Sequence, residues 1–500
     1  GTTNFTLNGG RNEYAIMGWF YRAAYDYKGK YLAEVNGRYD GTSRFPRGKR
    51  YGFFPSFSAA YRISEEAFFE PLRKTVDNLK IRLSYGSLGN QQIGYYDFIQ
   101  TITTKGSMGD YSFDGTILGQ HATVSDPVSG NQTWEKVISK NLGADLNMFS
   151  NRLSLTADFY IRDTKGILGK GKSLPSIYGA NEPQVNSNNL RTKGYELVLG
   201  WRDSFKLAGS TFSYGITGTF SDYTAEYTKC DNPSGLIGDP YVGKKYGEIW
   251  GYKVDGLFRN DEKAAEYASR VDLSKVAAGY YSATGAYGKG VRGGDIKYLD
   301  LDGSGIVDGG KGTLEDPGDR RVIGNSSPRY QYGLTLNLSW YGFDLSVFMQ
   351  GIGRLDWYPG ADNLRFWGPY SRPYATFIPK NFMSQVWSES NPDAYLPRAR
   401  AYTSLNSTQG TAYYTNDRYL QNLAYCRLKN LTLGYTIPKR LTSKVGIKEC
   451  RVYFSGENLA TWSALKNDFL DPEQAAADSD KKSNVYPWCR TYSVGLNLTF

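Results

Sequence analysis

Apolar residues recur at every second position through long stretches of this 500-residue chain. Between Arg152 and Arg162, Leu153, Leu155, Ala157, Phe159 and Ile161 share one parity, and Ser154, Thr156, Asp158, Tyr160 and Arg162 share the other. Tyr332, Leu334, Leu336, Leu338 and Trp340 alternate in the same way with Gly333, Thr335, Asn337 and Ser339. Phe212, Tyr214, Ile216 and Phe220 oppose Ser213, Thr217, Thr219 and Ser221, and Val494, Leu496, Leu498 and Phe500 oppose Ser493, Asn497 and Thr499. Successive strand side chains point to opposite faces, so a period of two predicts strands with one apolar and one polar face. Thirteen such segments are predicted: 14–27, 31–40, 51–62, 79–89, 133–149, 152–163, 191–202, 211–223, 330–341, 343–353, 423–436, 449–460 and 489–500. The expected fold class is all-β and antiparallel.

Alternation alone fits a soluble sandwich, with the apolar face as its core, or a transmembrane barrel, with that face against lipid. Length and connections separate the two. Several segments run to about 11–15 residues, against a usual strand of about 5–6. Aromatics cluster at strand ends, as at Tyr21, Tyr25, Tyr27 and Tyr435, which suits the aromatic girdles of a membrane barrel. Short connections (28–30, 64–78, 150–151, 203–209, 342, 437–448) alternate with long ones (90–132, 164–190, 224–329, 354–422, 461–488). Outer-membrane barrels place short turns on the periplasmic side and long loops outside. On that parity the first strand starts outside and the last one ends in the periplasm. The chain is therefore expected to be the C-terminal portion of a larger barrel.

Composition adjusts this picture. Tyr 42, Phe 24, Trp 10 and Gly 57 are high, and His121 is the lone histidine. Mean hydropathy is −0.51. No apolar run approaches the ~18 residues of a membrane helix, a requirement that does not apply to strands. The net charge of +10 is scattered rather than clustered, which argues against a nucleic-acid partner. Cys230, Cys426, Cys450 and Cys489 lack zinc-ligand spacing, and a Cys426–Cys489 disulfide is not expected, because alternation puts both on the inward face with a whole strand between them. No signal peptide opens the chain.

An ordered set of segments resembles the SusC/RagA family of TonB-dependent transporters. It comprises Lys30–Phe45 (KYLAEVNGRYDGTSRF), Gly52–Ser58 (GFFPSFS), Leu79–Asn90 (LKIRLSYGSLGN), Trp134–Glu135, Asn141–Asp145 (NLGAD), Asn151–Thr164 (NRLSLTADFYIRDT) and Gly194–Leu199 (GYELVL). Gly294–Asp308 (GDIKYLDLDGSGIVD), Asp319–Gly324 (DRRVIG), Tyr425–Pro438 (YCRLKNLTLGYTIP) and Gly456–Leu459 (GENL) continue it toward the C-terminus. The resemblance implies an outer-membrane barrel of about 22 strands. It also implies a plug domain and a TonB-contacting segment, neither of them in this sequence, and a SusD-like surface lipoprotein acting as lid. Phe500 resembles the terminal aromatic read by barrel-assembly machinery, or is one more lipid-facing residue.

Three loop regions carry candidate chemistry. Asp300, Asp302, Ser304 and Asp308, with Gly305 at the sixth position, match an EF-hand-like loop for Ca²⁺ or Mg²⁺. Lys311 stands where a bidentate Glu belongs, so the segment also reads as an Asp/Gly turn closed by local hydrogen bonds, and no cofactor is required. Trp357, Tyr358, Trp367, Tyr370 and Tyr374, with Arg365, and Tyr95 and Tyr96 in an earlier loop, are candidate substrate contacts. Aromatic faces stack on sugars and guanidinium groups bind carboxylates. The alternative is that these rings pack the loops onto themselves or onto the lid. A single histidine leaves no His-based triad or cluster of His ligands. Glu65 and Glu66 read as the first turn of a short helix rather than as an acid pair. An enzyme is not expected. The expected function is TonB-dependent import of a large nutrient, oligosaccharide ahead of oligopeptide. A non-transporting outer-membrane receptor or adhesin and a secreted carbohydrate-active β protein stand as rivals.

Overall fold

The computed structural model describes residues 9–500 except 106–111, 114–115, 118–120, 173, 282–289, 373, 375, 377, 401–404, 406–409, 467–469 and 477–487. The side chains at 105, 112, 113, 116, 117, 121, 176 and 445 also lie outside the description, so the side chain of His121 is not placed. No described helix is long and apolar enough to cross a membrane, which says nothing about crossing by strands.

Thirteen strands form one antiparallel sheet in strict chain order. They are β1 (Ile16–Tyr27), β2 (Tyr31–Thr42), β3 (Tyr51–Arg62), β4 (Val76–Asn90), β5 (Glu135–Met148), β6 (Leu153–Lys170) and β7 (Gln184–Leu207). β8 (Ser210–Lys229), β9 (Arg329–Trp340), β10 (Phe343–Arg354), β11 (Tyr425–Thr436), β12 (Glu449–Ser463) and β13 (Thr491–Thr499) complete it. Strict antiparallel order puts alternate connections at opposite ends. The short connections (28–30, 63–75, 149–152, 208–209, 341–342 and 437–448) all fall at one end, and those spanning 91–134, 230–328, 355–424 and 464–490 fall at the other. The tightest turns have positive φ at two consecutive residues, Lys28–Gly29, Ala208–Gly209 and Tyr341–Gly342. That is the backbone twist matching a tight hairpin to right-twisted strands, with two-residue loops at Ala208–Gly209 and Tyr341–Gly342 and a three-residue one at 28–30, and the second residue is glycine each time.

The pairing register assembles the alternating residues into continuous faces. Leu79, Leu146, Leu155 and Leu199 form one row across β4 to β7. Two aromatic belts flank such rows. Tyr27–Tyr31–Tyr61 and Phe343–Tyr435 lie toward the short turns, with Tyr31 and Tyr61 stacked at 5.0 Å. Trp19–Tyr39–Tyr51 and Phe159–Tyr195–Phe220–Tyr330 lie toward the long connections. An aliphatic band between two aromatic girdles is what a lipid bilayer with two interfaces selects.

One expectation needs correction. β6 continues to Lys170 and β7 begins at Gln184, so the expected loop 164–190 shrinks to 171–183. Alternation fades in these extensions because neither face meets lipid. The Asn186 side chain donates to the backbone carbonyls of Thr133 and Gly166, at 3.0 and 2.6 Å, and Gln132 donates to that of Gln184 at 3.2 Å.

Candidate functional site

At the long-connection end, residues from three loops share one hydrophobic core. Tyr252, Phe258, Leu273, Tyr280, Ile296 and Tyr298 come from the β8–β9 connection, Phe366, Trp367, Tyr370 and Tyr419 from β10–β11, and Leu470 and Ala475 from β12–β13. Local signals set up the pieces. The Asn260 side chain caps helix Asp261–Ala268 by accepting from the Lys263 amide, with Asp261 and Glu262 in the first turn. Asn363 caps the single turn Leu364–Trp367 and thereby directs Phe366 and Trp367 inward. Backbone bonds Tyr252 N to Thr415 O (2.9 Å) and Asp417 N to Tyr252 O (3.1 Å) join two of the loops. Asn416 Nδ2 donates to the Tyr358 hydroxyl and the Tyr414 carbonyl.

A buried ion pair crosses the same junction. Arg400 donates to both Asp295 oxygens, at 2.9 and 2.5 Å, with its guanidinium 4.1 Å from the Tyr280 ring centre. Burial pushes the Asp295 carboxyl up to about 6, opposed by the Arg400 charge and the Arg292 amide.

This core changes the reading of the candidate substrate contacts. Trp367 is 0% exposed, and Trp357 and Tyr370 are buried beside it. Tyr358 directs its hydroxyl inward to Tyr414 O at 3.0 Å. These four are core residues of the loop body, not open stacking platforms, because loops of this length need a core of their own to order. Arg365 and Tyr374 are exposed on its surface. Tyr95 and Tyr96 are exposed but engaged. Arg44 lies between the Tyr14 and Tyr95 rings, at 4.2 and 4.8 Å, and the Tyr96 hydroxyl donates to Glu13 O.

The acidic loop is also assembled differently. Carboxylates of Asp300, Asp302 and Asp319 lie within 4.8 Å of one another. Ser304 donates its hydroxyl to Ile306 O, and the Asp308 carboxylate, which accepts from the Gly310 amide, lies outside the carboxylate cluster. Asp319 stands in its place. It accepts from the amides of Leu301 (2.6 Å) and Asp308 (2.9 Å), while Asp300 accepts from those of Gly303 and Gly305. Burial raises the Asp319 pKa, and the Ser304 amide lowers that of Asp302. Three carboxylates form a hard oxygen donor set suited to Ca²⁺ or Mg²⁺, yet each already holds the turn together through backbone amides.

The polar face of the sheet carries ion pairs that span a middle strand. Arg82 on β4 bonds Asp145 on β5 and Asp158 on β6, reaching the latter across Gly143. Arg451 on β12 reaches Asp344 on β10 across Gly434. A Cβ on Gly434 would lie 2.5 Å from both Asp344 Oδ1 and Arg451 Nη2, so the glycine makes room for the pair. Farther along, Arg427 is almost completely buried and bonds Asp471 and Glu473 of the β12–β13 loop, and Lys429 also bonds Glu473. That loop is thereby fastened onto the polar wall.

A long antiparallel sheet with an aliphatic band, two aromatic belts and a polar inner wall is matched by one family model, described as TonB dependent receptor-like, beta-barrel, over residues 1–459. The chain belongs to the TonB-dependent receptor-like β-barrel family. It is 27% identical to TonB-dependent receptor P3 of Formosa agariphila, covering 98% of this chain and 46% of that protein. It is 23% identical to TonB-dependent receptor SusC of Bacteroides thetaiotaomicron, covering 97% and 44%. In structure it resembles the RagAB peptide transporter, with a TM-score of 0.71 and 21% identity over 97% of this chain and 48% of that one. The chain thus spans about half the length of the relatives it matches. The family accords with the SusC/RagA resemblance, the outer-membrane location, the antiparallel barrel and the non-enzymatic reading drawn from the sequence. The polar face is accordingly the lumenal wall and the aliphatic band the lipid face.

Proposed function

We propose that this chain forms the larger part of the barrel wall and outer mouth of a TonB-dependent importer for a bulky nutrient. The observation that carries this reading is the loop body. Three long connections fold around one core and are fastened to a charged lumenal wall at Arg427 and Lys429, which makes an ordered mouth rather than a fringe of separate loops. A SusD-like lipoprotein lid would close over that mouth on cargo binding, and TonB would act through a segment outside this sequence. The SusC and RagAB relatives support that partnership.

Oligosaccharide and oligopeptide remain the two cargo classes. Burial of Trp357, Trp367 and Tyr370 removes most of the aromatic surface that favoured glycans. The wall instead carries carboxylates and guanidinium groups at Arg82, Asp145, Asp158, Asp344 and Arg451, bonded to one another and of the kind that pair with peptide termini and charged side chains. The structural likeness to a peptide transporter also favours the oligopeptide reading. Growth of a deletion strain on defined glycans and defined peptides as sole nutrient discriminates. Selective loss of growth on peptides supports this reading, selective loss on glycans restores the first, and unimpaired growth on both favours a receptor or adhesin.

A further inference from the structure

The outer wall carries a group of cations that transport does not explain. Following the register outward from the lipid-facing row Leu83, Leu142 and Phe159, the next positions on the same face are Tyr85, Lys140, Ile161 and Lys193. Four residues farther along the strands, Lys136 on β5 stands directly opposite Lys165 on β6. Lys136, Lys140, Lys165 and Lys193 are all exposed, and none forms an ion pair among the described residues. The anions on this part of the wall are engaged elsewhere: Asp163 with Arg191 at 2.6 Å, and Glu226 with Lys245. Lys193 and Arg191 act on Glu226 only at longer range.

Two facts argue that a ligand supplies the missing charge. Like charges directly opposite on adjacent strands are destabilising, yet Lys136 and Lys165 share one cross-strand position. The group also begins immediately beyond the Phe159–Tyr195–Phe220 belt, which marks the edge of the hydrocarbon. At roughly 3.3 Å per residue and a tilt near 40°, Lys140 and Lys193 stand about 5 Å above that belt, and Lys136 and Lys165 about 15 Å above it. That interval is the headgroup layer of the leaflet on the long-loop side.

We propose that Lys136, Lys140, Lys165 and Lys193 form a docking patch for the phosphate groups of an anionic glycolipid in the surrounding outer leaflet. The placement rests on the outer-membrane barrel and not on the identity of the cargo.

The test uses the full-length protein, purified in a non-ionic detergent and stripped of lipid. Thermal unfolding is followed on adding lipopolysaccharide or its enzymatically dephosphorylated form. Wild type should be stabilised by the phosphorylated form alone. Lys136→Gln/Lys165→Gln and Lys140→Gln/Lys193→Gln should each weaken apparent binding roughly tenfold or more, since each lysine near an anionic surface contributes about 1 kcal/mol. A control with Lys275→Gln, in the β8–β9 loop body away from the patch, should bind like wild type. In lipid-free detergent Lys165→Gln should melt no lower than wild type, because the substitution relieves the Lys136–Lys165 repulsion, which also shows that the variant folds. Equal stabilisation by the dephosphorylated form, or undiminished binding by both double variants, overturns the proposal. Stabilisation by an acidic protein partner, with lipopolysaccharide inert, overturns it as well.

Discussion

Replacing Trp367 with alanine separates a core residue from a cargo platform. The indole is 0% exposed, with ring centres of Tyr419 and Phe366 at 5.0 and 4.8 Å and its Nε1 donating to Pro359 O. Burial of roughly 200 Å² at about 25 cal/mol/Å² gives about 5 kcal/mol as an upper value. Buried Trp or Phe to Ala changes cost about 3–5 kcal/mol. A loss near 4 kcal/mol lowers amide protection by about three orders of magnitude wherever exchange proceeds through opening of the loop body. Hydrogen exchange read by mass spectrometry on the full-length protein should show this loss in peptides from 250–300 and 355–425, with β5 to β8 unchanged. Preserved loop protection with weakened cargo binding would refute the argument and return Trp367 to the role of a stacking surface.

Arg400→Leu leaves Asp295 buried without its cation and should destabilise the loop body by about 3–5 kcal/mol. The folded-state pKa of Asp295 is raised, so the folded form binds the extra proton more readily than the unfolded one. The deficit relative to wild type should therefore narrow as pH falls from about 7 to about 5 in melting curves, and a deficit that widens contradicts the assignment. For the acidic loop we propose that the amide bonds to Asp300, Asp302 and Asp319 suffice, so a chelator should leave melting unchanged; a clear fall in Tm with EDTA, reversed by Ca²⁺ and absent in Asp302→Ala, would establish a bound cation. Gly434→Val should cost about 1–3 kcal/mol by forcing the Asp344–Arg451 pair apart, measured as a lower denaturant midpoint in detergent, and an unchanged midpoint would count against a pair seated on the glycine.

Legibility from sequence tracked the solvent on each side of the chain. Where lipid meets one face and a polar lumen the other, as along Leu153–Ile161, alternation is strict and the strands were readable. Beyond the membrane both faces meet polar surroundings, so Gln184–Asn189 carried no strand signal although it pairs in β7. The loop aromatics announced apolar content but not its use. Their core depends on contacts such as Tyr252 with Tyr414 and Asp295 with Arg400, more than a hundred positions apart, which no local pattern encodes. Asp319 was closer to being legible. It opens the Asp319–Gly324 segment that resembles the family, but the calcium-loop spacing led to Ser304 and Asp308 instead, because a linear motif does not anticipate a carboxylate folding back from eleven residues away.

Adjacent positions on β9 give the most direct test of the membrane account. Leu336 pairs with Ile216 and Val347 on the lipid face, whereas Asn337 pairs with Gly215 and Ser346 on the lumenal one. Arginine facing lipid near the midplane costs about 2–4 kcal/mol, and arginine in a hydrated lumen little. In the full-length protein, Leu336→Arg should reduce heat-modifiable, membrane-inserted barrel while Asn337→Arg assembles like wild type. Equal assembly of the two variants, or a defect confined to Asn337→Arg, would contradict the assignment of faces on which the barrel, the lumen and the importer all depend.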